Sequence, residues 1–250
     1  MTSSVSVPQH VFIVGSKGIP GNYGGYETFV DKLTEYHQDD PSLKYHVACK
    51  AKEKGRFSYH NADCFNVRVP DIGPAQAIYY DVAALNDCLS YIRRNRIPHP
   101  VVYILACRIG PFMAHFQRAV HRLGGKVYVN PDGHEWMRAK WSAPVRKYWK
   151  LSERMMAKHC DLLVCDSMNI ERYIHDEYGK YDPRTTYISY GAEPRASRLA
   201  DDAPELLDWY RQKGLSPRSY YLVVGRFVPE NNYETMIREF MESGSERDFA

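Results

Sequence analysis

The stretch from Val11 to Tyr36, VFIVGSKGIPGNYGGYETFVDKLTEY, limits what this chain can fold into more than any other. Val11–Val14 are consecutive apolar residues, the length and character of a strand buried on both faces. Gly15, Gly18, Pro20, Gly21, Gly24 and Gly25 follow, a loop able to bring bare backbone close to a neighbour. Tyr26, Phe29, Val30 and Leu33 then recur at helical spacing, with Glu27 and Asp31 in the early turns. A strand, a glycine loop and a helix N-terminus together offer N–H groups and a positive dipole end, which suit an anionic or polyhydroxylated ligand. The loop has neither G-x-G-x-x-G spacing nor a G-K-[ST] ending, which argues against NAD and ATP by the standard routes.

The same alternation continues along the chain. Lys44–Lys50 and Cys64–Val69 read as strands around a polar loop, and Pro70–Pro74 as a turn cluster. A helix is expected from about Ile78 to Arg94, with Ile78, Val82, Leu85, Leu89 and Ile92 as its apolar stripe. Val101–Ala106 is the clearest buried strand; a helix from Gly110 to about His121 and a strand over Lys126–Val129 follow. After the loop Asn130–Ala143 come a helix beginning at Pro144, a strand at Leu162–Cys165, a helix behind Asp166-Ser167, and a strand at Thr185–Ile188. Regular alternation implies parallel strands joined by right-handed crossovers. The expected fold class is therefore α/β: a Rossmann-like doubly wound parallel sheet over residues 1–190. Residues 191–203 read as a linker, and 204–250 as the first βα unit of a second Rossmann-like domain. One strand and one helix cannot bury a sizeable core, so the 250-residue chain reads as truncated.

Charge and composition narrow the function. A net charge of +3 is too small to imply nucleic acid, no reader motif is present, and the tryptophans do not recur as stacking platforms. No apolar run approaches the ~18 residues of a membrane span. The start, MTSSVSVPQH, has no basic n-region or apolar core, so no secretory signal is expected. Six cysteines lie scattered without a C-x-x-C pair, as in a reducing cytoplasm. Between Arg138 and Lys158 there are seven basic residues and one acid, Glu153, with Trp136, Trp141 and Trp149 in or beside the window. The Pro144–His159 helix reads either as a basic amphipathic helix for an anionic membrane surface or as a core helix with a solvated basic face.

Two places carry candidate chemistry. The loop NPDGHEWMRAKW (130–141) leaves the C-terminal end of a strand, where open α/β sheets place ligands. Asp132, His134 and Glu135 give it titratable groups, and Trp136 and Trp141 give it sugar- or lipid-facing surfaces; the alternative is an ordered loop packed on the sheet. Arg226, in VVGRFVPENN, follows a strand where a guanidinium can stabilise a departing diphosphate. No G-x-S-x-G and no H-E-x-x-H occurs, and the dispersed histidines suggest no metal site.

With these pieces in order, the chain resembles the GT-B glycosyltransferases of the large retaining family four. Gly24-Gly25-Tyr26-Glu27 is similar to that family's Gly-Gly-hydrophobic-Glu opening, Val164–Ser167 to its strand-then-serine motif, and Tyr190–Glu193 to its Asn-Gly-Val-Asp turn. Val224–Asn231 resembles its Val-Gly-Arg-Leu-x-Pro-Glu-Lys motif, with Asn231 in place of the lysine. The longer segments VFIVGSKGIPGNYGGYETFVDKL, IGPAQAIYYD, YILACRIGPF and NPDGHEWMRAKW-x-x-PVRKYWKLSE resemble bacterial capsule and cell-wall rhamnosyltransferases. That resemblance implies transfer of L-rhamnose from dTDP-rhamnose to an undecaprenyl-diphosphate-linked sugar, with peripheral contact at the cytoplasmic face of the inner membrane and no cofactor beyond the nucleotide sugar. It places Gly15, Lys17, Gly24, Gly25, Tyr26, Arg108 and Trp136 on the acceptor side and Asp132, His134 and Glu135 at the reaction. Arg226, Asn231, Gly191 and Glu193 fall to the donor. The rival expectation is a non-catalytic, truncated module that binds acceptor or a partner. A nucleotide-dependent oxidoreductase or epimerase is a further rival, weakened by the missing G-x-G-x-x-G.

Overall fold

The structure is a computed structural model that describes residues 7–194 and 196–250, so residues 1–6, read above against a secretory signal, lie outside it. The chain divides into two compact units, one holding the chain up to Met137 with Trp141–Tyr190, the other Arg138–Lys140 with Gly191–Ala250.

The first unit is built as the alternation dictates. Strand β1 (Gln9–Val14) leads through the glycine loop into α1 (Gly25–Tyr36), then β2 (Leu43–Ala51), β3 (Gly55–Tyr59) and β4 (Ala62–Arg68). Helix α2 (Gln76–Asn95) crosses to β5 (Val101–Leu105), α3 (Gly110–His121) to β6 (Lys126–Asn130), α4 (Ala143–His159) to β7 (Leu162–Cys165), and α5 (Met168–Tyr178) to β8 (Thr185–Tyr187). The strands lie in the order β3-β4-β2-β1-β5-β6-β7-β8. All neighbours are parallel except β3 and β4. Alternate residues feed two cores, as the two-residue period of a strand requires. On β1, Phe12 and Val14 join one cluster with α2 and α3, while Ile13 joins Val30 of α1 in the other. The chain winds outward from β1 in one direction, and α2 then carries it to β5 on the other side. The crevice outside the C-terminal ends of β1 and β5 is thus the topological switch point, where such sheets bind ligands.

The expected doubly wound parallel sheet is present, with three differences. The polar loop expected between β2 and β4 contains β3, an exposed antiparallel edge strand. It joins β4 through His60 and Asn61, both at positive φ, a hairpin without the Asn-Gly signal that would announce it. In the second unit, α6 (Pro204–Lys213) is followed by β9 (Tyr220–Tyr221), shorter than the Tyr220–Val224 expected. Beyond α7 (Tyr233–Glu242), β10 (Asp248–Phe249) pairs parallel with β9, so the unit holds a β-α-β crossover and not a lone βα unit. The linker expected over 191–203 has no helix or strand among its described residues.

At the N-terminal end of the sheet, His46 of β2 is buried, hydrogen-bonded to His10 (Nδ1 to Nε2, 2.8 Å) and stacked on Phe12. Burial pulls its pKa down to about 4, against the attraction of Asp63. The unfolded chain, whose histidines titrate near ~6.5, therefore takes up the proton first, and stability falls as pH drops through that value toward 4. Urea unfolding should show a loss of up to about 3 kcal/mol between those limits. A His46→Gln variant should lose most of that slope; an unchanged slope would show that the dyad does not titrate this way.

Candidate functional site

At the switch point the glycine loop is held by the protein's own charges. Gly15 has φ +106°, and a Cβ there would stand 2.2 Å from the Leu105 carbonyl oxygen, so only glycine lets β1 turn away against the end of β5. Arg108, just past β5, donates through Nη2 to the carbonyls of Gly15 and Leu105 (3.2 Å to Leu105) and through Nε to Asp81 of α2 at 2.8 Å. Asp81 is fully buried. Burial raises its carboxyl pKa to about 6, with the Arg108 charge and hydrogen bond pulling it back. Arg108, expected to touch acceptor, is thus turned inward as the clamp between three elements.

Several of the loop's N–H groups are likewise taken, that of Gly18 by the Ser16 Oγ at 3.3 Å. Glu27, buried on α1, accepts from the Lys17 amide at 2.6 Å, and Asp31 one turn later accepts from the Gly21 amide at 2.6 Å. Gly24 sits at φ +121°, a conformation L side chains rarely adopt, and a Cβ there would also press on the Glu27 carboxylate. The expectation that the whole loop offers N–H groups to a ligand is corrected here: Glu27 and Asp31 consume those of Lys17 and Gly21. What remains open is the start of α1, where Gly24 provides no side-chain cap for the first turn. Gly25 and Tyr26 stand there.

Tyr26 reaches across the crevice to the end of β6, donating to the Asn130 Oδ1 at 3.2 Å. Asn130, buried, also accepts from the Asp132 amide (2.8 Å) and donates to the Tyr190 hydroxyl at 3.3 Å. It gathers α1, the 130–141 loop and the segment after β8 on one amide, a hub that the sequence reading missed. Asp132 and His134 both sit at positive φ (58° and 27°), and so does Ala106 (72°) at the end of β5. Non-glycine residues in this region hold strain that the surroundings must impose, and such strain concentrates at functional sites.

The far side of that loop rests on a second hub. The Tyr173 hydroxyl of α5 donates to Glu153 at 2.5 Å and accepts from Lys150 Nζ (2.8 Å) and Trp136 Nε1 (3.2 Å), which uses its full capacity. Glu153, nearly buried on α4, also accepts from Tyr178. Lys150 lies 4.3 Å from the Trp136 ring centre and near those of Tyr173 and Tyr178, an ammonium boxed by three rings. The His134 ring lies 4.1 Å from that of Tyr173. Glu135 accepts from Trp141 Nε1 at 2.8 Å and closes the loop on itself. Glu153, the one acid in the basic window, is therefore an anchor of the loop. Helix α4 buries Trp149, Ser152, Glu153, Met156 and Ala157 and turns Arg146, Lys147, Arg154 and Lys158 outward.

The structure therefore gathers Gly15, Lys17, Gly24, Gly25, Tyr26, Arg108, Asp132, His134, Glu135 and Trp136 around the C-terminal ends of β1, β5 and β6. Arg226, Asn231, Gly191 and Glu193 lie in the second unit. There Arg226 is exposed, and the Asn231 side chain donates to the Arg226 carbonyl at 2.7 Å, so the residue standing in the lysine's place holds the turn. Among the described residues no group of three His, Cys, Asp or Glu is arranged to hold a metal ion.

Known proteins share this fold. The family described as "Domain of unknown function (DUF1972)" matches residues 8–193. A comparison with curated proteins finds no match. Among solved structures, a sucrose-phosphate synthase from Thermosynechococcus elongatus matches with a TM-score of 0.62 at 14% identity, over 96% of this chain and 61% of that one. The catalytic domain of starch synthase IV from Arabidopsis thaliana, bound to ADP and acarbose, matches with a TM-score of 0.60 at 10% identity, over 98% and 68%. An α,α-trehalose-phosphate synthase (UDP-forming) from Burkholderia vietnamiensis matches with a TM-score of 0.54 at 9% identity, over 98% and 64%. The chain thus spans about three fifths of the sucrose-phosphate synthase. At these identities the likeness is one of fold, and the Rossmann-like fold class expected from the sequence is the one found.

Two outcomes follow from the hubs. Asp81→Ala leaves the half-buried Arg108 charge without its partner and should cost about 2–4 kcal/mol of stability, whereas Glu35→Ala, in the exposed Lys32 pair, should stay within about 1 kcal/mol. Equal small losses in chemical denaturation would show that the clamp carries no weight. Tyr173→Phe should cost about 1–3 kcal/mol by leaving Glu153 short of a donor, and should speed tryptic cleavage at Arg138 and Lys140. Wild-type stability and cleavage rate would remove Tyr173 as the loop's support.

Proposed function

The chain belongs to the DUF1972 family, and we propose that it is the acceptor-side domain, with the opening of the donor domain, of a nucleotide-sugar glycosyltransferase. The observation that carries the reading is the gathering of an open helix N-terminus, the Tyr26–Asn130–Tyr190 cluster and the strained Asp132–His134 loop at one switch point. Hydroxyls, amides and aromatic faces in one crevice are the chemistry that orients a sugar. The fold agrees, since it is shared with enzymes named as synthases of sugar phosphates and starch, one of them bound to ADP and acarbose and another described as UDP-forming.

In the finer reading, the donor is dTDP-rhamnose and the acceptor a sugar on undecaprenyl diphosphate, at the cytoplasmic membrane face. The outward basic face of α4, with Leu151 exposed among Lys147 and Arg154, supports contact with an anionic surface. Transfer proceeds with retention. The acceptor hydroxyl forms a bond to the anomeric carbon as the bond to the diphosphate breaks on the same face. The leaving oxygen keeps the electron pair and takes the hydroxyl's proton. Arg226 stabilises the charge that grows on the diphosphate, and His134 orients the acceptor beside Asp132 and Glu135. The second reading, a binding module without catalysis, draws on Asn231, whose side chain is spent on the turn and brings no cation to a diphosphate.

The test is transfer of labelled rhamnose from dTDP-rhamnose to a polyprenyl-diphosphate-linked glucose, with UDP-glucose as the competing donor. His134→Ala and Arg226→Ala should each lower turnover by about a hundredfold or more. Normal turnover by both variants would refute the assignments. Acceptor binding without dTDP binding in calorimetry would favour the module.

A further inference from the structure

A second basic site lies along the same sheet edge, beyond the glycine loop. Strand β2 ends at Ala51 and turns through Lys52, Glu53 and Lys54 into β3, while Arg68, paired with Ala51, closes β4. Lys52, Glu53, Lys54 and Arg68 line an open surface cavity of about 470 Å³. All four are exposed, and among the described residues none of the three cations enters an ion pair. Two other lysines of the first unit are held in ion pairs, Lys44 by Asp63 and Lys150 by Glu177. The cavity is tied to the glycine loop, because the Lys50 amide donates to the Lys17 carbonyl at 2.9 Å. Lys17 turns its own side chain outward. Three cations facing one carboxylate repel one another unless an anion enters between them.

From these observations we propose that Lys52, Lys54 and Arg68 form a subsite for a diphosphate group, that of the lipid-linked acceptor. The assignment to the acceptor rests on the glycosyltransferase reading above. Strand β4 stands two strand spacings, about 10 Å, from β1. A sugar seated at the glycine loop can therefore present the diphosphate of its carrier to the cavity. Arg68 offers its planar fork to phosphate oxygens, the two ammonium groups follow the remaining charge, and Glu53 sets an upper limit on affinity by opposing it.

Three diphosphates separate the sources: inorganic pyrophosphate, farnesyl diphosphate in detergent, and the nucleoside diphosphates dTDP and UDP. Each is titrated by calorimetry into the full chain, a Lys52→Ala/Lys54→Ala/Arg68→Ala variant, and Glu53→Gln. A control, Arg93→Ala/Arg94→Ala/Lys126→Ala, removes three exposed cations from the opposite edge of the sheet. Pyrophosphate and farnesyl diphosphate should bind the cavity variant at least about tenfold more weakly, since even a weak charge-assisted bond per cation sums to that. They should bind Glu53→Gln more tightly and the control as they bind wild type, with dTDP and UDP unchanged throughout. Wild-type affinity of the cavity variant for pyrophosphate, or an equal loss in the control, would overturn the subsite. A loss confined to dTDP and UDP would overturn its assignment to the acceptor. Diphosphate binding lost in the cavity variant while wild type transfers no sugar would leave the subsite standing and sink the transferase reading instead.

Discussion

The Asp81–Arg108 pair is the interaction on which the ligand edge depends. Asp81 comes from α2, Arg108 from the turn after β5, and the carbonyl of Gly15 from the end of β1. These are the elements that part at the switch point, and the sheet's ladder cannot reach past their ends. Two carbonyls left over by the strands are satisfied by a guanidinium whose charge is balanced by a buried carboxylate. A neutral donor could make the hydrogen bonds, but it could not hold a carboxyl ionised in the core. Burial raises the Asp81 pKa to about 6 even against the pull of Arg108, so desolvation is the stronger influence on this carboxyl.

That arrangement changes what the glycine loop is for. Its glycines bring backbone close to other backbone, Gly15 against Leu105 and Gly18 against Cys49, and its amides are claimed by Glu27 and Asp31. With the amides of Lys17, Gly18 and Gly21 taken inside the protein, part of the loop is a rigid wall and not an anion cradle, and the first turn of α1 adds open donors beside it. Recognition of a charged group then needs cations from elsewhere on the edge. Lys52 and Lys54 in the turn from β2 into β3, with Arg68 at the end of β4, stand on that edge without an ion pair among the described residues.

Much of this could be read from the chain, and what could not has a common cause. The strand and helix alternation is carried by local periodicity, so Leu162–Cys165 and Pro204–Lys213 fall where expected. Strand β3 has no such pattern: Gly55 and Arg56 precede Phe57, and its identity comes from pairing with β4. Asn130 and Tyr173 each act through side-chain partners distant in the sequence. Their partners lie as far as 104 residues away for Tyr26 and 37 for Trp136. Spacing brought the site-type residues of 130–141 to notice, but it could not show that Glu135 would turn to Trp141 or that Arg108 would point inward.

The two hubs also explain how the strained loop persists. Left-handed backbone at Ala106, Asp132 and His134 costs on the order of 1–3 kcal/mol each, which no single hydrogen bond repays. The Ala106 amide is held by the Asn130 carbonyl, the Asp132 amide by the Asn130 side chain, and the carbonyl of His134 by the Met137 amide. Trp136, two residues on, is fixed twice: its carbonyl by Arg146, and its ring by Tyr173 and Lys150. Strain distributed over this many fixed points keeps His134 against Tyr173 without a covalent tie. A loop held from both sides in this way is already arranged before a ligand arrives, so binding energy need not be spent on ordering it.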